Sequence, residues 1–386
     1  MRSQIDHVVI GAGLAGSIVA LRLAAAGRDV ILLEKQRDPH HKVCGEFLSA
    51  EALSYLQRIG IDPLKLGAHP IRRVRLHSGR RSVQTSLPFP AQSLSRRALD
   101  EALLAKAQSA GCEVHRGAFV EKLIRTTDGF SIHLRSGETI QARNVFLATG
   151  KHDLADLHRP SGMHADLVGF KMHWQLESKS TEAIRRSMEL FLFRQGYGGL
   201  ALVENDIANL CFVVHRHRMR ALGAWPEILS AIRAEVPVIN QILYGATPCW
   251  PKPLAISHIP YGYIAKASDG IWPVGDQAAV IPSFTGDGMS IALHSAELAS
   301  EMYLSGKSPD EYLIRLHHHL HSGMRFATSL SRIMVTSTGR LLAPLALSVP
   351  GAISWIAEQT RIPARALHME DLSHSTSSNH LPVSAA

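Results

Sequence analysis

Six residues near the N-terminus, Gly11-Ala12-Gly13-Leu14-Ala15-Gly16, restrict what this chain can fold into more than any other segment. They follow an apolar run rich in β-branched residues, Ile5 to Ile10, and lead into Leu14, Ile18 and Leu21 at helical spacing. After Gly27 a second apolar run, Val30 to Leu33, ends in Glu34-Lys35. Strand, glycine turn, helix and strand make a βαβ unit with a parallel pair of strands. In such a unit the first glycine makes the tight turn, the second lets a pyrophosphate approach the backbone, and the third lets helix and strand pack closely. The helix N-terminus then faces phosphate charge, and Glu34 is placed to accept hydrogen bonds from an adenosine ribose diol. A 2′-phosphate would meet that carboxylate, which disfavours NADP. Gly11, Gly13, Leu14, Ala15, Gly16, Glu34 and Lys35 are therefore candidate dinucleotide contacts, with FAD and NAD both open at this point.

Downstream, Leu99, Leu103 and Ala107 recur every fourth residue from Ser95 to Ala110, a helix that stops before Gly111. Short strands are expected around Val114, Val120 to Ile124, Phe130 to Leu134 and Val145 to Ala148, with Asp128-Gly129 and Ser136-Gly137 as turns. Longer strands follow at Gly169 to Leu176, Met188 to Phe193, Gly199 to Glu204 and Ile207 to Val214. Turns are expected at Gly196 and Asn205-Asp206. This pattern predicts an antiparallel sheet layered over the first domain. The chain returns through a strand, Ile271 to Val274, and a helix, Gly288 to Leu304, with Ala292, Leu293, Ala296 and Ala299 on its packed side. The remainder reads as helical from Pro309 to Met334 and again across a proline-interrupted apolar stretch.

A second constellation separates the two dinucleotides. Trp272-Pro273-Val274-Gly275-Asp276-Gln277-Ala278-Ala279 is followed by Pro282 and then Gly286-Asp287-Gly288-Met289. A strand ends in Gly-Asp, a loop passes a proline, and glycines open a helix. An aspartate such as Asp276 can hold the hydroxyls of a ribityl chain, and Gly275, Gly286 and Gly288 let backbone N–H groups reach a flavin ring. The helix's positive end would stabilise negative charge at the N1 and C2 carbonyl edge of a reduced flavin. These features point to FAD.

Over about residues 5 to 305 the chain resembles the FAD-dependent group that includes para-hydroxybenzoate hydroxylase and geranylgeranyl reductase. Four segments carry the resemblance: Gly11 to Gly16 with Glu34; Lys42-Val43-Cys44-Gly45-Glu46-Phe47-Leu48-Ser49; Ser95-Arg96-Arg97-Ala98-Leu99-Asp100; and Gly275-Asp276 through Gly288. It implies that Asp276 binds the ribityl and pyrophosphate region, that Arg96 reaches the cofactor, and that Val120 touches the adenine through its backbone. The Lys42 to Ser49 segment looks most like the reductase branch, whose similar K-x-C-G-G/E stretch lies under the flavin, and so adds Cys44 and Gly45. Ala148-Thr149-Gly150-Lys151 stands where hydroxylases of the group have an Asp-Gly pair; Gly150 is kept as a cofactor contact, but the aspartate is absent. No second G-x-G-x-x-G follows, so NAD(P)H would bind transiently or electrons would arrive from another protein. The W-x-W-x-I-P stretch of flavin halogenases is absent.

The implied fold class is α/β (α+β): a Rossmann-like FAD-binding domain, an antiparallel-sheet substrate domain and C-terminal helices. Residues 1–70, 91–165 and 266–335 would form the discontinuous FAD-binding domain and 71–90 and 166–265 the substrate domain. Residues 336–369 would form a C-terminal helical segment and 370–386 a disordered tail. With 46% hydrophobic and 19% charged residues over 386 positions, fibrous and disordered classes drop out. Lys and Arg exceed Asp and Glu by 41 to 33, giving +8, but they are scattered in ones and twos, so no nucleic-acid partner is expected. Four separated cysteines and the lack of a signal peptide favour a cytoplasmic protein. The apolar stretch Leu341 to Ala357, broken by Pro344, Pro350 and Gly351 and flanked by Arg340 and Arg361, is short for a membrane span. It is expected to pack on the domain or rest on a membrane face and guide a greasy substrate inward.

On the substrate side, Lys171 and His173 alternate onto one face of their strand, and Tyr197 sits among glycines. If that face covers the flavin, these residues are candidates for proton transfer. His317-His318-His319 and His321 suggest a metal, but on a helix only His317 and His321 share a face, and no metal is expected. The leading functional expectation is an NAD(P)H-dependent monooxygenase, in which O₂ adds at flavin C4a and oxygen passes to a phenolic or lipophilic aromatic substrate. The alternative is a reductase delivering hydride from reduced FAD to an isoprenoid-like double bond; a requirement for O₂ separates the two.

Overall fold

The computed structural model describes residues 4–347, 349 and 351–367; the tail expected at 370–386 lies outside the described residues. In the first sheet the strands Glu113–Arg116, Val30–Glu34, Ile5–Ile10 and Thr139–Leu147 lie side by side and run parallel. Trp272–Pro273 adds a further parallel strand, and Gly129–Leu134 and Val120–Thr126 return antiparallel. Every residue of Val30–Glu34 is buried, as befits a parallel strand covered on both faces. Helix Leu14–Ala25 buries ten of its twelve residues and packs beside helices Arg96–Ser109 and Gly288–Leu304.

The glycine turn explains how the helix comes so close to the sheet. A Cβ on Gly16 would stand 1.9 Å from the Gly11 carbonyl oxygen, and one on Gly11, whose φ is +103°, would stand 2.5 Å from that of Ala148. Neither position tolerates a side chain.

The second sheet runs in the order Thr247–Pro248, Leu167–Gln175, Ile207–His215, Gly196–Val203, Ser187–Phe193, His69–Ser78, Arg81–Ser93 and Phe47–Leu48, with Leu254–Ile256 also pairing to Leu167–Gln175. Its pairs are antiparallel except His69–Ser78 with Ser187–Phe193, which is parallel. The turn expected at Gly196 falls instead at Arg194 and Gln195, with Gln195 at φ +56°. Gly196 belongs to the strand, where its missing Cβ leaves room for the Phe193 ring, 2.3 Å from where that atom would be. The expected reversal at Asn205-Asp206 is present, both residues having positive φ.

Helix Gly288–Leu304 has the expected bounds and buries Leu293, Ala296 and Ala299 completely. Helix Pro309–Met334 opens with a capping box, in which Ser308 accepts from the Glu311 N–H and the Glu311 carboxylate accepts from the Ser308 N–H. Helices Ser337–Leu347 and Ala352–Thr360 then fold against the edge of the second sheet. Arg361, expected to flank an apolar surface, turns inward to Glu51 at 3.0 Å and lies over the Phe89 ring.

The glycine contact yields a prediction. Gly16→Val forces the helix off the sheet at a cost of about 1–3 kcal/mol, and the displaced turn no longer meets the pyrophosphate. We expect a lowered Tm and purification largely without FAD. A variant with wild-type absorbance at the flavin bands would refute this account of the turn.

Candidate active site

A cavity of about 1160 Å³ lies between the two sheets, larger than the roughly 300–1,000 Å³ typical of a site for one small ligand. Its adenosine end is lined by Glu34, Lys35 and Val120. The buried Glu34 carboxylate accepts the N–H groups of Ala12 and Gln36, each at 2.9 Å, and keeps lone pairs for a diol. Burial lowers the Lys35 pKa, although Glu34 beside it opposes the shift.

Around the helix N-terminus, Leu14 and Ala15 line the cavity beside Gly11 and Gly13, while Gly16 sits behind them in the helix–strand contact. A Cβ on Gly13 would stand 3.4 Å from both Arg96 Nη2 and Lys42 Nζ, so two cations converge where the backbone is bare. Asp100 holds both: Arg96 donates to it at 2.9 and 3.1 Å and Lys42 at 2.8 Å. Burial pushes the Asp100 pKa up, but Arg96 and Lys42 overcome it and the net shift is downward. Lys42 and Asp100 were not singled out from the sequence; their only signal was membership of the two matched segments.

Farther along, Asp276 pairs with Lys151 at 3.0 Å. Burial opposes ionisation there too, and Lys151, with Arg159 and Arg96 behind it, keeps the carboxylate below its ordinary pKa. Gln277 Nε2 donates to the carbonyls of Gly150 and His152, fixing the turn that carries Lys151. The residue after Gly150 is thus a lysine that this turn presents to Asp276.

At the flavin end a Cβ on Gly45, Gly150 or Gly288 would meet nothing within 4 Å, which is the open cradle a flat ring system needs. Gly275 and Gly286 have φ of +62° and +76°, and Asp287 occupies the N-cap of helix Gly288–Leu304. The ribose acceptor, the paired cations and this cradle fit FAD along their whole length. Cys44 is part-buried on the cavity wall, and its Sγ accepts the Glu46 N–H at 3.3 Å.

Lys171 and His173 do share a face with Gly169, which lines the cavity, but their own side chains do not reach it. They are 0% and 3% exposed and both donate to Glu46, His173 Nε2 at 2.9 Å. Both side chains are engaged by the Cys44–Phe47 loop through Glu46. Glu46, itself 0% exposed and at φ +59°, also accepts the Arg96 N–H at 2.7 Å. The His41 ring stands edge-on to His173, with centroids 4.7 Å apart, and both rings lie against Trp250. His41, Glu46 and His173 bring three potential ligand atoms within 4.8 Å of one another, while the Lys171 ammonium already supplies that carboxylate with a positive charge. Tyr197 does line the cavity; its hydroxyl lies 3.3 Å from Ser331 Oγ and accepts from Ser283 Oγ at 3.5 Å. On the helix Pro309–Met334, His317 and His321 stack at 5.5 Å, whereas His319 bonds to His294.

Residues 4–153 match the family described as FAD binding domain. Among curated proteins, the chain is 25% identical over 361 residues to the menaquinone reductase of Mycolicibacterium smegmatis, covering 86% of this chain and 85% of that one. It is 27% identical over 357 residues to the probable electron transfer flavoprotein-quinone oxidoreductase YgcN of Escherichia coli, covering 83% and 81%. Among solved structures, the halogenase PltM in complex with phloroglucinol and FAD superposes with a TM-score of 0.74 at 17% identity, covering 96% of this chain and 84% of that one. The flavin-dependent brominase Bmp2 gives 0.74 at 16%, covering 95% and 93%; these likenesses are of fold. The chain is an FAD-binding, flavin-dependent oxidoreductase. Among the described residues no helix is long and apolar enough to cross a membrane.

The electrostatics of the site lead to two predictions. Glu34→Gln removes a charge-assisted acceptor for the ribose, an interaction of about 1.5–3 kcal/mol. The FAD Kd should therefore rise roughly 10- to 150-fold when the apoprotein is titrated by flavin fluorescence; an unchanged Kd would exclude the ribose contact. Burial, only partly offset by Arg361, raises the Asp287 pKa to about 7. The folded carboxyl thus keeps a proton that the unfolded one releases near pH 4. Its stabilising contribution is present below about pH 4 and lost as the pH rises through 7. Between pH 5 and pH 8 the wild type should lose more Tm than Asp287→Asn, and equal losses would show that Asp287 does not titrate in this window.

Proposed function

We propose that this protein is a flavin-dependent reductase that saturates an isoprenoid double bond in a substrate with a long apolar tail, a polyprenyl chain or a prenylated quinone, taken up from a membrane surface. The observation that carries this reading is the cavity's continuation beyond the flavin cradle. It passes Leu76, Met188 and Leu190 on the second sheet and reaches Ile353 and Ile356 on the last helix. The helical segment that closes it turns Leu341, Leu342, Leu345 and Trp355 to the exterior. One element therefore presents apolar surface both inward to the cavity and outward, the arrangement expected of a membrane-facing entrance.

The apolar side chains Leu76, Met188, Leu190, Ile353 and Ile356 suit a hydrocarbon tail better than a polar phenol, which favours the isoprenoid alternative. Relatives bearing menaquinone and quinone oxidoreductase names over more than four-fifths of the chain support the same class of substrate. Bound FAD would supply the two-electron chemistry. The chain's part is to hold the cofactor by Glu34, Asp100 with its cations, and Asp276, to align the tail along Leu76 and Leu190, and to exclude water. Electrons would come from transiently bound NAD(P)H or from a protein donor.

The test is an anaerobic turnover of the chemically reduced holoprotein with polyprenyl quinones and with a panel of phenols, products being read by mass. We expect gain of two hydrogens in the polyprenyl chain without O₂, and co-flotation with anionic vesicles that Leu341→Ser/Trp355→Ser abolishes. Hydroxylation of a phenol that requires O₂, with no saturation of the chain, would overturn the reading.

A further inference from the structure

The helix Ala352–Thr360 shows the cavity a side that changes character along its length. Ile353, Ile356 and Ala357 line the cavity first, and Thr360 and Arg361 line it where the helix ends. From Ile353 to Thr360 the helix rises about 10 Å. Its polar end is the one joined to the flavin side, since Thr360 donates to Asp287, the residue before Gly288 of the cradle. Phe47, also on the wall, lies against Gly286, 2.6 Å from where a Cβ would be.

A guanidinium is out of place on such a wall. Among the described residues the other lysine and arginine side chains that line the cavity, Lys35, Lys42, Arg96, Lys122, Arg135 and Lys151, belong to the adenosine and pyrophosphate end or to the Asp276 turn. Arg361 instead stands among Phe89, Ile356 and Ala357, with its guanidinium carbon 3.3 Å from the centre of the Phe89 ring. Its Nη1 donates to Glu51 at 3.0 Å, and Glu51, buried behind the wall, accepts from Ser49 at 2.6 Å. A buried ion pair seldom stabilises a fold more than apolar residues of the same size would. The guanidinium carries five N–H donors, only its Nη1 is engaged by Glu51, and the side chain keeps 14% exposure where it borders the cavity. Held by a carboxylate at one corner and by a ring under its face, the fork is pre-organised and has donors left.

We infer that Arg361, seated on Phe89, receives a carbonyl oxygen of the substrate's head, and that the substrate is therefore a prenylated quinone and not a free polyprenyl diphosphate. The inference rests on the reductase reading for the apolar tail and deepens it by naming the head. Charge decides between the two heads. Glu51 already balances Arg361, so the site has no surplus positive charge for a diphosphate, whose several negative charges call for free cations. A carbonyl oxygen is a neutral acceptor that asks only for an N–H, and a charged donor makes that bond the stronger. The flat ring of a quinone also suits the aromatic side of the site at Phe89. With the head at Arg361, the tail runs along Ala357, Ile356 and Ile353, facing Val74 and Met188 of the second sheet. Arg361 is thus a positioning residue: it fixes the register of the tail and takes no part in bond breaking.

The first readout needs no turnover. Binding to the oxidised holoprotein is measured by calorimetry for one tail on different heads: geranyl naphthoquinone, geranyl naphthalene and geranyl diphosphate. We expect the wild type to bind the quinone about tenfold more tightly than the naphthalene, and the diphosphate no better than the naphthalene. Arg361→Met/Glu51→Gln removes both charges together and should cost the quinone that advantage while leaving the naphthalene unchanged. Arg361→Lys keeps Glu51 paired but lacks the planar fork, and it too should weaken the quinone alone. If the double variant does not hold FAD, Arg361→Lys decides by itself.

Equal weakening of quinone and naphthalene, or of neither, overturns the head site. A diphosphate that binds best to the wild type and is lost in the variants overturns the choice of a quinone. The second readout is anaerobic turnover of the reduced holoprotein with the geranyl naphthoquinone. Quinone binding that depends on Arg361, with no saturation of the tail, would refute the reductase reading and leave the head site standing. Saturation, with quinone affinity unchanged in the variants, would refute the head site and leave the reductase.

Discussion

An ammonium and a carboxylate without solvent contact, Lys171 and Glu46, fasten the second sheet to the loop beneath the cofactor. The same carboxylate takes the N–H of Arg96 at the start of helix Arg96–Ser109, and Asn209 of the second sheet donates to the Cys44 carbonyl at 3.1 Å. The Cys44–Phe47 loop therefore belongs to both layers. Removing either partner would leave an unpaired buried charge, at about 3–5 kcal/mol, and the Ser95 bonds to Glu204 join the same two layers.

Charge along the cofactor site is graded. At the helix N-terminus one carboxylate, Asp100, faces two cations, Arg96 and Lys42, and leaves one positive charge in surplus where a pyrophosphate would lie. At Asp276 the pairing with Lys151 is one to one, and at Glu46 the pairing with Lys171 is one to one. Asp287 stands at the N-cap of helix Gly288–Leu304 with its carboxyl turned to Thr360 and its pKa raised by burial, which reduces negative charge at that end near neutral pH.

What the sequence disclosed was local. The βαβ turn, the helices Gly288–Leu304 and Pro309–Met334, and the strands about Val120 and Phe130 are written in periodicity and punctuation over a few residues, and they stand where those signals placed them. The strand-end carboxylate Glu34 and the Gly275-Asp276 strand end were legible for the same reason. Alternation put Lys171 and His173 on one face, but a period of two says nothing of what lies opposite, and the opposing group, Glu46, is 125 residues away from Lys171. The parallel pairing of His69–Ser78 with Ser187–Phe193 likewise joins segments that share no local signal. Gly196 was misread because a glycine before a strand looks like a turn, whereas here it clears space for Phe193.

The helix that walls the apolar part of the cavity is tied by hydrogen bonds to the start of helix Gly288–Leu304. Thr360, at the end of the helix that walls the apolar part of the cavity, donates to Asp287 at 3.2 Å, and Arg361 beside it reaches Glu51, which accepts from Ser49. Ser49 in turn contacts Ser290, in the first turn of the flavin-facing helix. The wall that an apolar tail would press against is therefore tied by hydrogen bonds to the N-terminus that faces the flavin. A tail that displaces this wall must strain the cap at Asp287, whereas one that fits leaves the cap intact.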